Sequence, residues 1–338
     1  MRALAFFVAG LALLLLSCSS KPAPSGVTKT NPDGLEVLEL RYQANPGTVT
    51  PPEIAEELGF LAPIKLDCVG STASGPTSIQ AVVTGDTDFG SAFNGAVIKL
   101  VAAKAPIVAV LGSYGVDQVT WGGFYVKEGS PIKSARDLIG KKVSVNTLGA
   151  HSEFMLKEYL FRSGLTKEET NQVTMVVLPP VNGEQALRQG QVDVATLGTI
   201  FRDRALERGG IRLLFSDYQL YGEFTAGSYV LRNDFIRDHP KAARKFVEAV
   251  ARALDWERAT PREEVVRRFQ NLIAKRKRTE DASAIKFWLS SGVAGHSGLL
   301  TSKDFQIWLD WMVKDGELGQ GQLRPGEVFS NRLNPFAT

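Results

Sequence analysis

The side chains able to do acid–base, nucleophilic or metal chemistry are few and widely spaced. The 338-residue chain holds 3 histidines and 2 cysteines. His151, His239 and His296 stand at no metal-ligand spacing from one another or from Cys68. No HExxH, CxxC, GxSxG, P-loop or GxGxxG pattern occurs. No catalytic residue, metal or cofactor is therefore expected. Cys68 falls in a strand-like stretch, 64–69, where a lone thiol behaves as a small buried hydrophobe. His239 precedes Pro240 at a helix start, and His296 sits in a glycine-rich loop. His151 is the sharper case, because it opens a helix after a loop. There an imidazole can donate one hydrogen bond to a ligand oxygen or accept one from a ring N–H. A solvated histidine at a helix start is the alternative.

Small, hydroxyl and amide residues carry the rest of the candidate chemistry. They cluster in loops that follow predicted strands or open predicted helices, where backbone N–H groups are free. Asn45 and Thr48 follow a strand at 38–42. Ser74 and Gly75 lead into a helix with Pro76 in its first turn. Asn94 follows a strand at 89–93. Thr147, Gly149 and His151 lie between a strand at 143–145 and a helix at 153–161, and Thr199 follows a strand at 194–197. With Tyr221, these form the expected ligand-binding set, and Tyr114, Trp121 and Phe201 are candidate aromatic walls. Any one such loop is most simply a turn. Five on one predicted edge point to a pocket.

The elements that must position them come as an internal echo. Residues 80–88 (QAVVTGDTD) and 185–193 (QALRQGQVD) each read as a helix ending at a glycine, a short turn and a strand. Each has a further strand upstream, so each is a strand–helix–strand unit, and two such units predict two α/β lobes. A second echo, 123–127 (GFYVK) and 227–231 (GSYVL), brackets the second unit and marks two strands joining the lobes. Lobe one is then 35–122 and 230–338, lobe two 123–229, with a hinge at 124–126 and 228–230. After the return, apolar residues at 243, 246, 247, 250 and 254 mark one face of a helix from Pro240. Helices at 261–273 and 305–313 follow.

The amino terminus addresses the chain. Arg2, an apolar run over 4–16 and Ser17-Cys18 have the order of a secretory signal, over 1–17. The cysteine resembles that of a lipoprotein lipobox, which implies cleavage before Cys18 and acylation of its thiol and new amino group. An incidental cysteine in an ordinary signal is the alternative. Residues 18–34 have the composition of a flexible tether. The expectation is an exported, membrane-anchored lipoprotein, periplasmic or cell-surface. With Cys18 acylated, Cys68 has no disulfide partner. The 39 basic and 36 acidic residues leave +3, spread along the chain, which argues against nucleic acid as partner.

In its order of segments the mature chain resembles the periplasmic binding proteins of ABC importers in the nitrate/sulfonate/taurine group, related to the thiamine-pyrimidine binders. The segments are the helix-GDTDFG stretch ending at Gly90, residues 130–145, residues 234–240 before a helix, and the closing 305–311. The resemblance implies a type II binding-protein fold that closes as a monomer on a small organic or anionic solute and delivers it to an ABC permease and ATPase. Two departures bear on the solute. Sulfonate binders of the group have Gly-Asp where this chain has Phe93-Asn94, and a Trp where it has Gly198 before Thr199. A heteroaromatic or bulkier ligand thereby becomes credible beside anionic ones. A ligand-presenting module for a membrane sensor is a second reading. A pyrimidine-synthase-like enzyme on the same fold is a third, disfavoured by the export signal and the missing Cys-rich motif.

Overall fold

The computed structural model describes residues 34–35, 39–276, 278 and 280–337. The signal at 1–17, Cys18 and the tether up to residue 33 lie outside the described residues. The strands, in chain order, are β1 (Glu39–Ala44), β2 (Lys65–Ser71), β3 (Phe89–Phe93), β4 (Ile107–Val116), β5 (Gly122–Lys127), β6 (Lys142–Val145), β7 (Thr174–Val177), β8 (Ala195–Gly198), β9 (Ile211–Ser216) and β10 (Phe224–Arg232).

They pair in four hydrogen-bonded groups, which further backbone contacts gather into two composite sheets. In the first, β1 runs parallel to β2, and β10 lies antiparallel between β3 and β4. Asp88 ties β1 to β3: its backbone N–H donates to Arg41 O at 2.9 Å, and its carboxylate accepts from Arg41 N at 2.7 Å. In the second, β5 lies antiparallel between β8 and β9, and β6 is parallel to β7. A parallel bridge from Val143 to Val194 joins the two groups. β10 is buried along nearly its whole length, which suits its apolar sequence (FTAGSYVLR). In the first lobe Phe89 packs against Tyr42 at 5.5 Å and Phe246 at 4.6 Å; in the second Phe124 stacks on Phe215 at 4.2 Å. Each such fully buried ring contributes about 1.5–3 kcal/mol over its exposed state.

The internal echo is structural. Helix Gly75–Thr84 stops at Gly85 (φ 83°), and helix Gly183–Gln189 stops at Gly190 (φ 74°). Both glycines occupy the left-handed region, where a Cβ is penalised. The amphipathic segments become helices Pro240–Ala259, Arg262–Lys275 and Lys303–Asp315, with Phe246, Phe269 and Trp308 fully buried.

The crossings fall elsewhere than composition suggested. Gly122 pairs with Gly198 of β8, and Phe224 with Val116 of β4. β5 therefore belongs wholly to the second sheet and β10 wholly to the first. The chain passes between sheets at 117–121 and 222–223, not at 124–126 and 228–230. Hydrogen-bond partners decide which sheet holds a strand, and β-rich composition does not report them. A second correction concerns 94–96, expected as a loop. Asn94 instead starts helix Asn94–Ala102 directly from β3.

Candidate functional site

A cavity of about 750 Å³ lies between the sheets. Thr48, Ser74, Ser91 and Tyr114 wall it from the first, and Asn146, His151, Thr199 and Phe201 from the second. Of the expected set, Asn45, Thr48, Ser74, Gly75, His151 and Thr199 line it. Ser74 caps its helix, accepting from Thr77 N at 3.3 Å, while its hydroxyl meets Thr147 Oγ1 of the second lobe at 3.4 Å. Thr147 thus reaches the cleft through that contact. Thr199 opens helix Thr199–Glu207 with φ 21°, a conformation rare for a β-branched residue.

Three expected residues serve the scaffold instead. Asn94 is fully buried. Its amide donates to Thr225 O at 2.9 Å and Asp304 O at 3.2 Å and accepts from Ser228 Oγ at 2.6 Å, so no group is left for a ligand. Gly149 donates its N–H to Glu153 Oε2 at 2.7 Å. Tyr221 packs edge-on to Trp308 at 5.1 Å, with Arg162 over its ring at 4.6 Å. Trp121 likewise lies under the Arg202 guanidinium at 4.1 Å.

His151 is not solvated, and its Nε2 is buried without a hydrogen-bond partner among the described residues. Its ring stacks on Phe93 at 5.2 Å and on Tyr114 at 6.0 Å, both from the first sheet. Nε2 lies 3.2 Å from Asp217 Oδ2. Asp217 is buried and also accepts from Gly122 N at 3.0 Å and Tyr218 N at 2.7 Å. The imidazole is therefore a stacked bridge between the lobes that shows only part of itself to the cavity.

The least expected wall residue is Glu257, in the last turns of helix Pro240–Ala259. It is 6 % exposed, and no described residue hydrogen-bonds or ion-pairs with its carboxyl. Burial alone pushes the carboxyl up to about 8. Tyr42, Tyr229 and Trp288 line the same cavity. The sequence held a signal for Glu257: it lies three residues after Leu254, seven after Val250 and eleven after Phe246, on the apolar stripe of its helix.

The Ser91 hydroxyl donates to Ser113 Oγ at 2.6 Å rather than to an imidazole. Cys68, half-buried, is not on the wall; its thiol meets Gly70 O at 3.3 Å. Among the described residues no cluster of His, Cys, Asp and Glu could hold a metal ion. No described helix is long and apolar enough to cross a membrane.

The profile of the family described as NMT1/THI5 like matches residues 48–264. The chain belongs to this family. It is 26 % identical over 197 residues to a Brucella abortus protein provisionally named a binding protein, and the match spans 57 % of each chain. The structure superposes on the periplasmic aliphatic sulphonate binding protein SsuA of Escherichia coli with TM-score 0.64 and 20 % identity, over 87 % of this chain and 92 % of that one. On the periplasmic nitrate-binding protein NrtA of Synechocystis PCC 6803 the TM-score is 0.68, with 16 % identity and 88 % of both chains covered. The fold is that of the periplasmic binding proteins, two α/β lobes about a cleft.

Proposed function

We propose that this protein captures a small organic solute between its lobes outside the cytoplasm and hands it to an ABC permease. The observation that carries this reading is the 750 Å³ cavity, walled by strand ends and helix starts of both lobes. Its size suits an organic molecule of drug-like dimensions rather than a bare inorganic oxyanion. The relatives named as binding proteins support the role. Lobe one is 39–116 with 224–337, lobe two is 122–221, and the connections at 117–121 and 222–223 let the lobes close as a monomer. Acyl chains on Cys18 tether the protein to the membrane.

A thermal-shift screen over organic solutes, followed by small-angle scattering on each hit, tests the capture. A ligand at 100 times its Kd adds about 2.7 kcal/mol of stability. The expected result is a hit that raises Tm and shrinks the radius of gyration. A chain that closes on no solute, or that turns one over, overthrows the reading. The tether has its own test: Cys18→Ser should abolish incorporation of a palmitate analogue, and unchanged labelling would end that part.

A further inference from the structure

The charges around the cavity are one-sided. Among the described residues its wall holds no lysine or arginine, and its two carboxyls are Asp217 and Glu257. Asp217 already accepts from the Gly122 and Tyr218 N–H groups, and His151 Nε2 lies 3.2 Å from it. Glu257 is not satisfied by anything described, although burying an unpaired polar group costs free energy that a functionless position would shed. It stands where the cavity meets a smaller hollow of about 210 Å³, whose wall also carries Asp117, Arg258 and Arg262, and Trp288, Ser290 and Ser291 border both.

The cations on neighbouring elements are committed elsewhere. Arg276 and Arg278 bind Glu53. Arg258 donates to Val293 O and contacts His296 Nδ1, and Arg262 donates to Trp288 O. Burial is the sole cause that moves the carboxyl, so none of these cations offsets it. Tyr229, also fully buried, lies beside it, and Asp117, which accepts from Ser290 Oγ, lines the same hollow. The arginines at the second lobe's rim are engaged too: Arg202 with Asp203, and Arg204 with Glu184 and Asp281.

We infer that Glu257 is the specificity-determining residue of the site and takes the cationic nitrogen, an ammonium or amidinium, of an organic base. The inference rests on the capture reading above and names its substrate class. The carboxyl shares its cavity wall with Tyr229 and Trp288, so a counter-charge and aromatic rings that favour a cation border the same space. An anion entering the same wall meets two carboxyls and no described cationic side chain. Binding a cation requires the carboxyl to ionise, so capture releases a proton at neutral pH.

A charge series on one ring tests this: benzamidinium, benzamide, benzoate and benzenesulfonate, titrated calorimetrically into the full-length chain and Glu257→Gln. Benzamidinium should bind most tightly, and its affinity should rise up to about tenfold per pH unit from pH 6 to 8. Its heat should change with buffer ionisation enthalpy, reporting proton release. Glu257→Gln should lose at least tenfold for benzamidinium, its pH dependence and its proton release. Glu257→Met, with no carboxyl and similar bulk, should repeat that loss. Preference for benzoate or benzenesulfonate, equal affinity in the variants, or silence from all four probes overturns the inference. An anionic hit in the solute screen that closes the lobes would leave capture standing and sink the charge assignment alone.

Discussion

Glu257 gives a test that needs no ligand. Its carboxyl sits at about 8 in the folded chain against an ordinary 4.5, because burial penalises the charged form. Between those values the folded state holds a proton that the unfolded state has released. Stability contributed by that proton is complete below pH 4.5, falls as pH rises, and is gone above pH 8. The difference between the two values corresponds to roughly 3–5 kcal/mol across the window. That is a large share of the 5–15 kcal/mol typical of a folded domain. Glu257→Gln keeps the shape and cannot ionise. Urea unfolding of both proteins from pH 5 to 9 should therefore give curves that diverge with pH, the variant gaining roughly 3–5 kcal/mol on the parent by pH 9. Groups common to both proteins cancel in the comparison. Parallel curves would show that the carboxyl ionises without cost, and the account of an unpaired buried acid would fall.

Three substitutions probe the scaffold around the cavity. His151→Ala removes an imidazole stacked between Phe93 and Tyr114 and its contact with Asp217, so thermal unfolding should show a loss of about 1–3 kcal/mol. A solvated histidine would give almost none. Asn94→Ala strips three buried hydrogen bonds that hold helix Asn94–Ala102 to β10 and to the first turn of helix Lys303–Asp315; chemical denaturation should register at least about 2 kcal/mol. Gly90→Ala places a methyl 2.7 Å from Ser78 O and 2.9 Å from Val82 Cγ2, and the forced separation of β3 from helix Gly75–Thr84 should lower stability by about 1–3 kcal/mol in the same assay.

What the sequence made legible was local. β3 could be bounded at Phe89–Phe93 because an apolar run follows a helix, a glycine and a turn, all within 15 residues. Gly85 and Gly190 could be read as caps because helix termination depends on one residue's φ. The lobe crossings were misplaced because both β5 and β10 are apolar, and only pairing with partners 70 to 125 residues away separates them. Asn94 was mistaken for a ligand group because its partners lie 131, 134 and 210 residues away. Glu257 escaped notice because a single acid near the end of an amphipathic helix usually points outward. Only its place in the stripe of Phe246, Val250 and Leu254 marked it as inward.

The connection at 117–121 is clamped from both sides. Asp117 accepts from Ser290 Oγ of the first lobe at 2.5 Å, and Arg202 of the second lobe donates to Val119 O at 2.8 Å and Trp121 O at 3.0 Å. The other connection is two residues long, and its Gly222 takes φ 69° and ψ −144°, angles open essentially to glycine alone. One strap is thus held by side chains of both lobes, and the other turns on a single glycine. Side chains such as Asn45, Thr48 and Phe201 take no part in either fixture. Lineages could therefore redraw the cavity wall for a new molecule while leaving both connections unchanged.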